Sequence, residues 1–446
     1  MTELNETNKW YVSLFDEFEK NLNGESKLPV HLLRKKAIED FSTLSFPTKK
    51  NEEWRFTNIT PLLQNKFTLA DKSPSVSKDE VNRFRFSGMK SPIMVFVNGN
   101  YSDKLSELSS LKGKITVKNI SSALKENNPQ ITKHFAKYAD SSNQIFTALS
   151  TAFIKDGAFV HVPENVIIEG PLHILFLTSS KEQKILMHPR NLFIIDKNSQ
   201  ISIIEHYAGL DESVYFTNTV TEISIGENAV VRHTKFQEES KSSFHISRME
   251  TVQQTNSNFT SNMVSFGGDI SRNDFTTRFI GTGGESELNG LFMTDGNQLF
   301  DAHTLIDHAS PLCNSHELYK GILDDNSRGV FNGKVIVRRD AQKTNAFQEN
   351  NNIILSNEAL VNTKPQLEIF ADDVKCSHGA TIGQLDNEAL FYLKSRGIGE
   401  KASRDILIHA FASDVVRRIK INEIRDHIEN ILTEKFSRKN ENRNIK

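Results

Sequence analysis

Cys376 and His378 stand two residues apart in the run VKCSHGATIGQL. In an extended strand, residues i and i+2 point to one face, so a thiol and an imidazole would lie side by side. Such a pair suits a soft or borderline metal such as Fe(II) or Zn(II). A nearby cation, here Lys375 or a protonated His378, would favour the thiolate. Two side chains do not complete a four-coordinate site. The remaining ligands must come from elsewhere in the fold or from another chain. The competing reading is a buried Cys beside a hydrogen-bonded His.

Three further groups could carry chemistry. His303, Asp307, His308, Cys313 and His316 place five potential ligands within fourteen residues of DAHTLIDHASPLCNSHELYKG. Their spacing matches no zinc motif, and Pro311 makes the segment read as a loop or turn, so a structural role is favoured. If a second metal contact exists, His308 and His316 are its residues. Glu368, Asp372 and Asp373 are paired acids of the kind a glycan-active solenoid would use, although solvated turn acids are the favoured reading. The amphipathic C-terminal helices either pack on the core or dock a partner.

The usual catalytic signatures are missing. No Walker A loop, no G-x-G-x-x-G after a strand, no H-E-x-x-H, no C-x-x-C and no G-x-S-x-G occurs. A non-catalytic chain is therefore expected. Fifty-four basic and 56 acidic residues give a net charge of -2, which offers no general attraction for nucleic acid. Two cysteines make no disulfide framework and suit a reducing cytoplasm. The N-terminus lacks the regions of a signal peptide. The most apolar run, VIIEGPLHILFL, is broken by Glu169, Gly170, Pro171 and His173, too short to cross a bilayer.

Residues 1–70 read as a helical domain, with Tyr11, Leu14, Phe15, Phe18 and Leu22 at helical spacing and Gly24 as a stop. Pro29 opens a second segment that ends near Pro47, and Trp54 is expected to anchor these helices. Residues 71–146 read as mixed α/β: DKSPSVSKDE as a linker, SPIMVFVNGNYS as a strand turning at Asn98-Gly99, and ISSALKENNPQITKHFAKYAD as partly helical. From 147 to 383, short alternating runs follow one another without helices. Polar turns recur near Asn165, Lys197, Glu227, Ser257 and Glu285, then near Ser327 and Asn357, in steps of 32, 30, 30, 28, 42 and 30 residues. That is an imperfect repeat of two or three strands per unit, and it favours a β-solenoid over a sandwich or propeller. Residues 384–435 return to helix. Ala389, Leu390, Leu393 and Lys394 share helical spacing, as do Ile406, Leu407, Ala410, Phe411 and Val415. Residues 436–446 are expected to be disordered.

The run from Phe331 to Ile398, FNGKVIVRRDAQKTNAFQENNNIILSNEALVNTKPQLEIFADDVKCSHGATIGQLDNEALFYLKSRGI, closely resembles the SufD-type members of the SufB/SufD family, in the Suf iron–sulfur cluster assembly system. PTKKNEEWRFTNITPL and SPLCNSHELYKGIL extend the resemblance over most of the chain; Phe370 stands where Tyr is more usual. The resemblance implies an N-terminal helical domain, a right-handed parallel β-helix and a C-terminal helical domain. It also implies a scaffold subunit that pairs with SufB through the β-helices and carries the ATPase SufC on its C-terminal helices. SufC would then supply the missing Walker A loop. His378 and Cys376 match the residues associated with cluster assembly at the SufB–SufD interface, where the cargo would be transient iron or an Fe–S cluster. A flavin in the complex is not readable from this chain, and self-pairing of the isolated chain stays open. In this reading, ATP-driven dimerisation of SufC moves residues 384–435 and opens the junction at Cys376 and His378. A purely structural adaptor and a β-helical carbohydrate-active enzyme are the alternatives.

Overall fold

The computed structural model describes residues 2–70, 74–180 and 183–443. Its centre is a parallel β-solenoid with two strands per coil. One sheet contains the strands Ala158–Val162, Arg190–Ile195, Tyr215–Ile225, Phe244–Gln253, Ile270–Phe279, Leu299–His308, Arg328–Val337 and Leu360–Ile369. The other contains Ile167–Thr178, Gln200–Gly209, Val230–Glu238, Asn258–Ser265, Glu285–Thr294, Asn314–Leu323, Asn345–Ile354 and Lys375–Gly383. Successive coils pair in parallel and in register, so each side chain sits over its counterpart one coil away.

The coil repeat is written into one corner. Asn165, Asn198, Asn228 and Asn256 all hold positive φ there, between 53° and 61°. Asn tolerates this left-handed conformation better than most residues. Each backbone N–H donates to a carbonyl of the next coil, from Asn165 to Lys197 at 3.0 Å through to Asn256 and Thr282 at 2.8 Å. Asn198 and Asn228 also donate through Nδ2 to the Asn before them, at 2.9 and 3.0 Å. The corner then continues at Gly283, Leu312 and Lys343, with the same bonds. Ser327 and Asn357 lie on the opposite corner. The 42-residue step read from sequence is thus a change of corner, not a longer coil.

Three apolar layers result. The interior holds stacked residues such as Phe193, Ile223, Phe259, Phe292, Phe300 and Phe331. The outer face of the first sheet, through Phe216, Phe244 and Ile270, packs against the N-terminal helices Thr2–Lys20 and Val30–Thr43 and the helix Ile145–Ala152. The second sheet, through Ile204, Phe236, Val264, Leu291 and Leu318, packs against the C-terminal helices Glu400–Val416 and Asn422–Arg443. Burying one such Phe contributes roughly 1.5–3 kcal/mol. Trp54 bridges helices and solenoid, packing on Phe146 and over the Arg272 guanidinium, whose Cζ lies 3.7 Å from the ring centroid.

The start of the solenoid is capped. Ile93–Val97 extends the second sheet and turns at Asn98-Gly99 into the short antiparallel strand Asn100–Tyr101; Thr116–Asn119 runs antiparallel to Ala158–Val162. The segment expected to be a linker carries a helix, Lys78–Asn82, begun by a capping box between Ser77 and Glu80; Asp71–Ser73 lie outside the described residues. Helix Glu400–Val416 buries Ile408, Ala412, Val415 and Val416; of the face expected from sequence, Val415 is buried and Phe411 packs against the same core, while Ile406 is exposed. The final helix runs to Arg443, through most of the segment expected to be disordered, and residues 444–446 lie outside the described residues.

Candidate functional site

Leu360–Ile369 and Lys375–Gly383 are the last strands of their sheets. Among the described residues each pairs on one side only, with Arg328–Val337 and Asn345–Ile354. Their free edges present backbone N–H and C=O groups that a further strand could pair. Apolar side chains surround this open end: Phe370 is 62% exposed and Ile382 45%.

Cys376 and His378 lie on the last strand, opposite Ala346 and Gln348. Both of those partners are buried on the inner face, and Cys376 packs against the interior core. The two residues therefore share a face, and it is the inner one. They line the mouth of the solenoid, while Lys375 and Ser377 alternate outward. Burial pushes the Cys376 thiol up rather than favouring the thiolate, contrary to the sequence expectation. Two ligands remain two: among the described residues, no three His, Cys, Asp or Glu side chains are grouped to hold a metal.

The other ligand types do not join them. The segment expected to be a loop is two strands, Leu299–His308 and Asn314–Leu323, joined by a tight corner. His308 points inward against Phe279, with Nε2 2.9 Å from Ser315 Oγ, and burial lowers it to about 4, so the ring is neutral. His316 faces outward and stacks on Phe347. The two do not meet. His303 is partly buried, but Asp301 and Glu53 outweigh that and raise it to about 9; it holds the Trp54 segment to the sheet. Asp307 is clamped between Arg278 and Arg338, which hold it ionised despite burial. Cys313 is buried in the corner, its Sγ 3.5 Å from the Gly281 carbonyl oxygen. Glu368 pairs with Lys334 on the outer face, and Asp372 and Asp373 occupy an exposed turn, so these acids form no converging pair.

Sequence reading missed what lies beneath the mouth. Below His378 come Gln348 and then Glu317, in one inward row. Gln348 Nε2 donates to Glu317 Oε2 at 2.6 Å. Burial raises the Glu317 carboxyl to about 7, only partly offset by the Thr304 hydroxyl and the Gln348 amide. An apolar floor of Leu288, Phe292 and Phe300 closes the row below. Deeper still lies a separate polar cluster, in which Lys235 bonds Ser247 and Asn273, each at 2.6 Å, and Glu205 pairs with His233 at 2.8 Å. The available signal was the run FQENNN, whose alternate polar residues sit between a buried coil and the exposed terminal strand.

The helix Asn387–Ser395 follows the open end. Asp386 caps it, accepting from the N–H groups of Glu388 and Ala389, and none of its residues is buried. Phe391 is 74% exposed.

The family model of the SufBD core domain of SUF-system FeS cluster assembly matches residues 176–411, more than half of the chain, and that of the SufBD N-terminal region matches residues 5–174. The chain belongs to the SufBD family. An iron–sulfur cluster assembly SufBD family protein of Synechocystis is 34% identical over 403 residues, 89% of this chain and 88% of that protein. SufD of Escherichia coli is 28% identical over 394 residues, covering 88% of this chain and 89% of that protein. SufD of Bacillus subtilis is 26% identical over 441 residues, covering 95% and 98%. SufBD membership places the chain in the SUF system of iron–sulfur cluster assembly. No described helix is long and apolar enough to cross a membrane.

Proposed function

We propose that this chain is a non-catalytic scaffold subunit of a cytoplasmic Suf assembly complex, pairing with SufB through its open end. Cys376 and His378 supply part of a site for transient iron or a nascent cluster, and SufB supplies the rest. The observation that carries this reading is the position of both residues on the inner face of an unpaired terminal strand. An edge strand ringed by exposed apolar side chains favours a strand-on-strand partner. The exposed helix Asn387–Ser395, with Phe391 and Tyr392 outward, is the docking surface for the ATPase SufC.

The test is co-expression with SufB and SufC, measuring subunit composition and bound iron and sulfide. His378→Ala should keep all three subunits and lose most of the iron and sulfide. A complex loaded as well as the wild type would leave only a structural adaptor role. Phe391→Glu combined with Tyr392→Glu should release SufC and leave SufB bound; retention of SufC would refute the docking surface.

A further inference from the structure

Beneath His378, Gln348 holds one orphan. Its Nε2 is committed to Glu317 Oε2 at 2.6 Å, yet its Oε1 is buried with no hydrogen-bond partner among the described residues. An unpaired buried acceptor is destabilising, so a fold that keeps one has a use for it or a donor not yet in place. Where Glu317 carries its charge, the amide is not free to turn. Above about pH 7 Glu317 is ionised and accepts only, so there it demands the NH₂ group and directs the carbonyl elsewhere. Glu317 is buried in the row beside Thr304 and above the apolar floor, and its own Oε1 is also without a hydrogen-bond partner among the described residues.

Room for this arrangement is built in by Gly333 on the facing strand. A Cβ there would sit 2.3 Å from Gln348 Nε2 and 2.6 Å from Phe331 Cζ. No larger residue lets the Gln348 amide lie across the interior. His378 occupies the next place in the row, directly paired with Gln348. Neighbouring strands lie about 4.8 Å apart, within reach of two extended polar side chains. An imidazole that binds a metal through one nitrogen is oriented by an acceptor on the other, and losing such an acceptor typically weakens metal binding about 10–100-fold.

We propose that Gln348, held by Glu317, is a positioning residue for His378: its Oε1 accepts the ring N–H and fixes the imidazole in one tautomer at the mouth of the solenoid. The inference rests on the ligand role of His378 for its purpose, but not for its test. The full chain carrying ¹⁵N-labelled histidine is read by long-range ¹H–¹⁵N NMR, with the His378 signals assigned by their loss in His378→Ala. One hydrogen bond gives roughly a tenfold preference for a single tautomer. In Gln348→Met, which keeps the shape and removes the acceptor, the preference should relax to the mixture of a free histidine. In Glu317→Gln, which frees the amide to turn, it should fall part-way.

Signals of the buried His233 and His245 report that the variants remain folded. A His378 tautomer ratio unchanged in folded Gln348→Met overturns the proposal, as does a wild-type ratio already that of free histidine. If His378→Ala loads iron and sulfide normally while the tautomer shift appears as expected, the ligand role fails and the positioning contact stands.

Discussion

Glu317→Gln should stabilise this protein, by an amount that grows as pH rises from 4.5 and levels off above about 7. Glu317 is fully buried, and no cation pairs with it among the described residues. Burial lifts its carboxyl from an ordinary 4.5 to about 7. Below pH 4.5 the carboxyl is protonated in both folded and unfolded chains and contributes nothing to pH dependence. Between 4.5 and about 7 the unfolded chain loses the proton first, so the folded state binds more protons and stability falls as pH rises. At about 1.36 kcal/mol for each pH unit across that window, the accumulated penalty above pH 7 is about 3 kcal/mol. Glutamine keeps the shape, has no proton to lose and escapes that penalty. Urea unfolding midpoints of wild type and variant, compared at pH 4.5 and pH 8 with chelator present, should coincide at the lower pH. At pH 8 they should separate by about 3 kcal/mol in favour of the variant. An equal difference at both values, or a variant less stable at pH 8, would refute the account of an uncompensated buried charge.

Two other substitutions probe the packing around the site. Arg272→Met removes the guanidinium that pairs with Asp274 and Asp301 at 2.8 Å each and stacks on Trp54, leaving buried Asp301 with His303 as its one remaining counter-charge among the described residues. The expected loss is about 3–5 kcal/mol by urea unfolding, with a shift in tryptophan emission; less than about 1 kcal/mol would show that His303 and Thr57 suffice for Asp301. Gly333→Ala forces a methyl against Gln348 and Phe331 and should cost about 1–3 kcal/mol, whereas at Gly379 a Cβ meets nothing within 4 Å and alanine should be near neutral. Equal effects at the two glycines would contradict the interior geometry.

The solenoid was legible because Asn marks its corner. Asn165, Asn198, Asn228 and Asn256 announce the left-handed turn chemically, so the spacing of about 30 residues emerges from sequence. The marker fades where Gly283, Leu312 and Lys343 take the same backbone position, and sequence reading slid to the opposite corner. Alternation showed that Cys376 and His378 share a face but not which one. In the last coils the inner row is itself polar, through Glu317, Gln348, Asn350 and Asn352, so hydrophobicity no longer separates inside from outside. The helix Glu400–Val416 misled for the opposite reason. Apolar residues occur on several of its sides, and tertiary packing kept Val415 but chose Ile408 and Ala412 over Ile406. The Gln348–Glu317 contact links residues 31 apart and was invisible without the register.

The two ends of the solenoid are not alike, and the difference sets a number. The first coil is closed off by the short antiparallel strands Asn100–Tyr101 and Thr116–Asn119, while the last coil leaves both sheets open. A rod open at both ends could add copies indefinitely and grow into a fibre. A rod open at one end has a valence of one: the first partner to pair with it uses up the growing edge, and assembly through that surface stops at two.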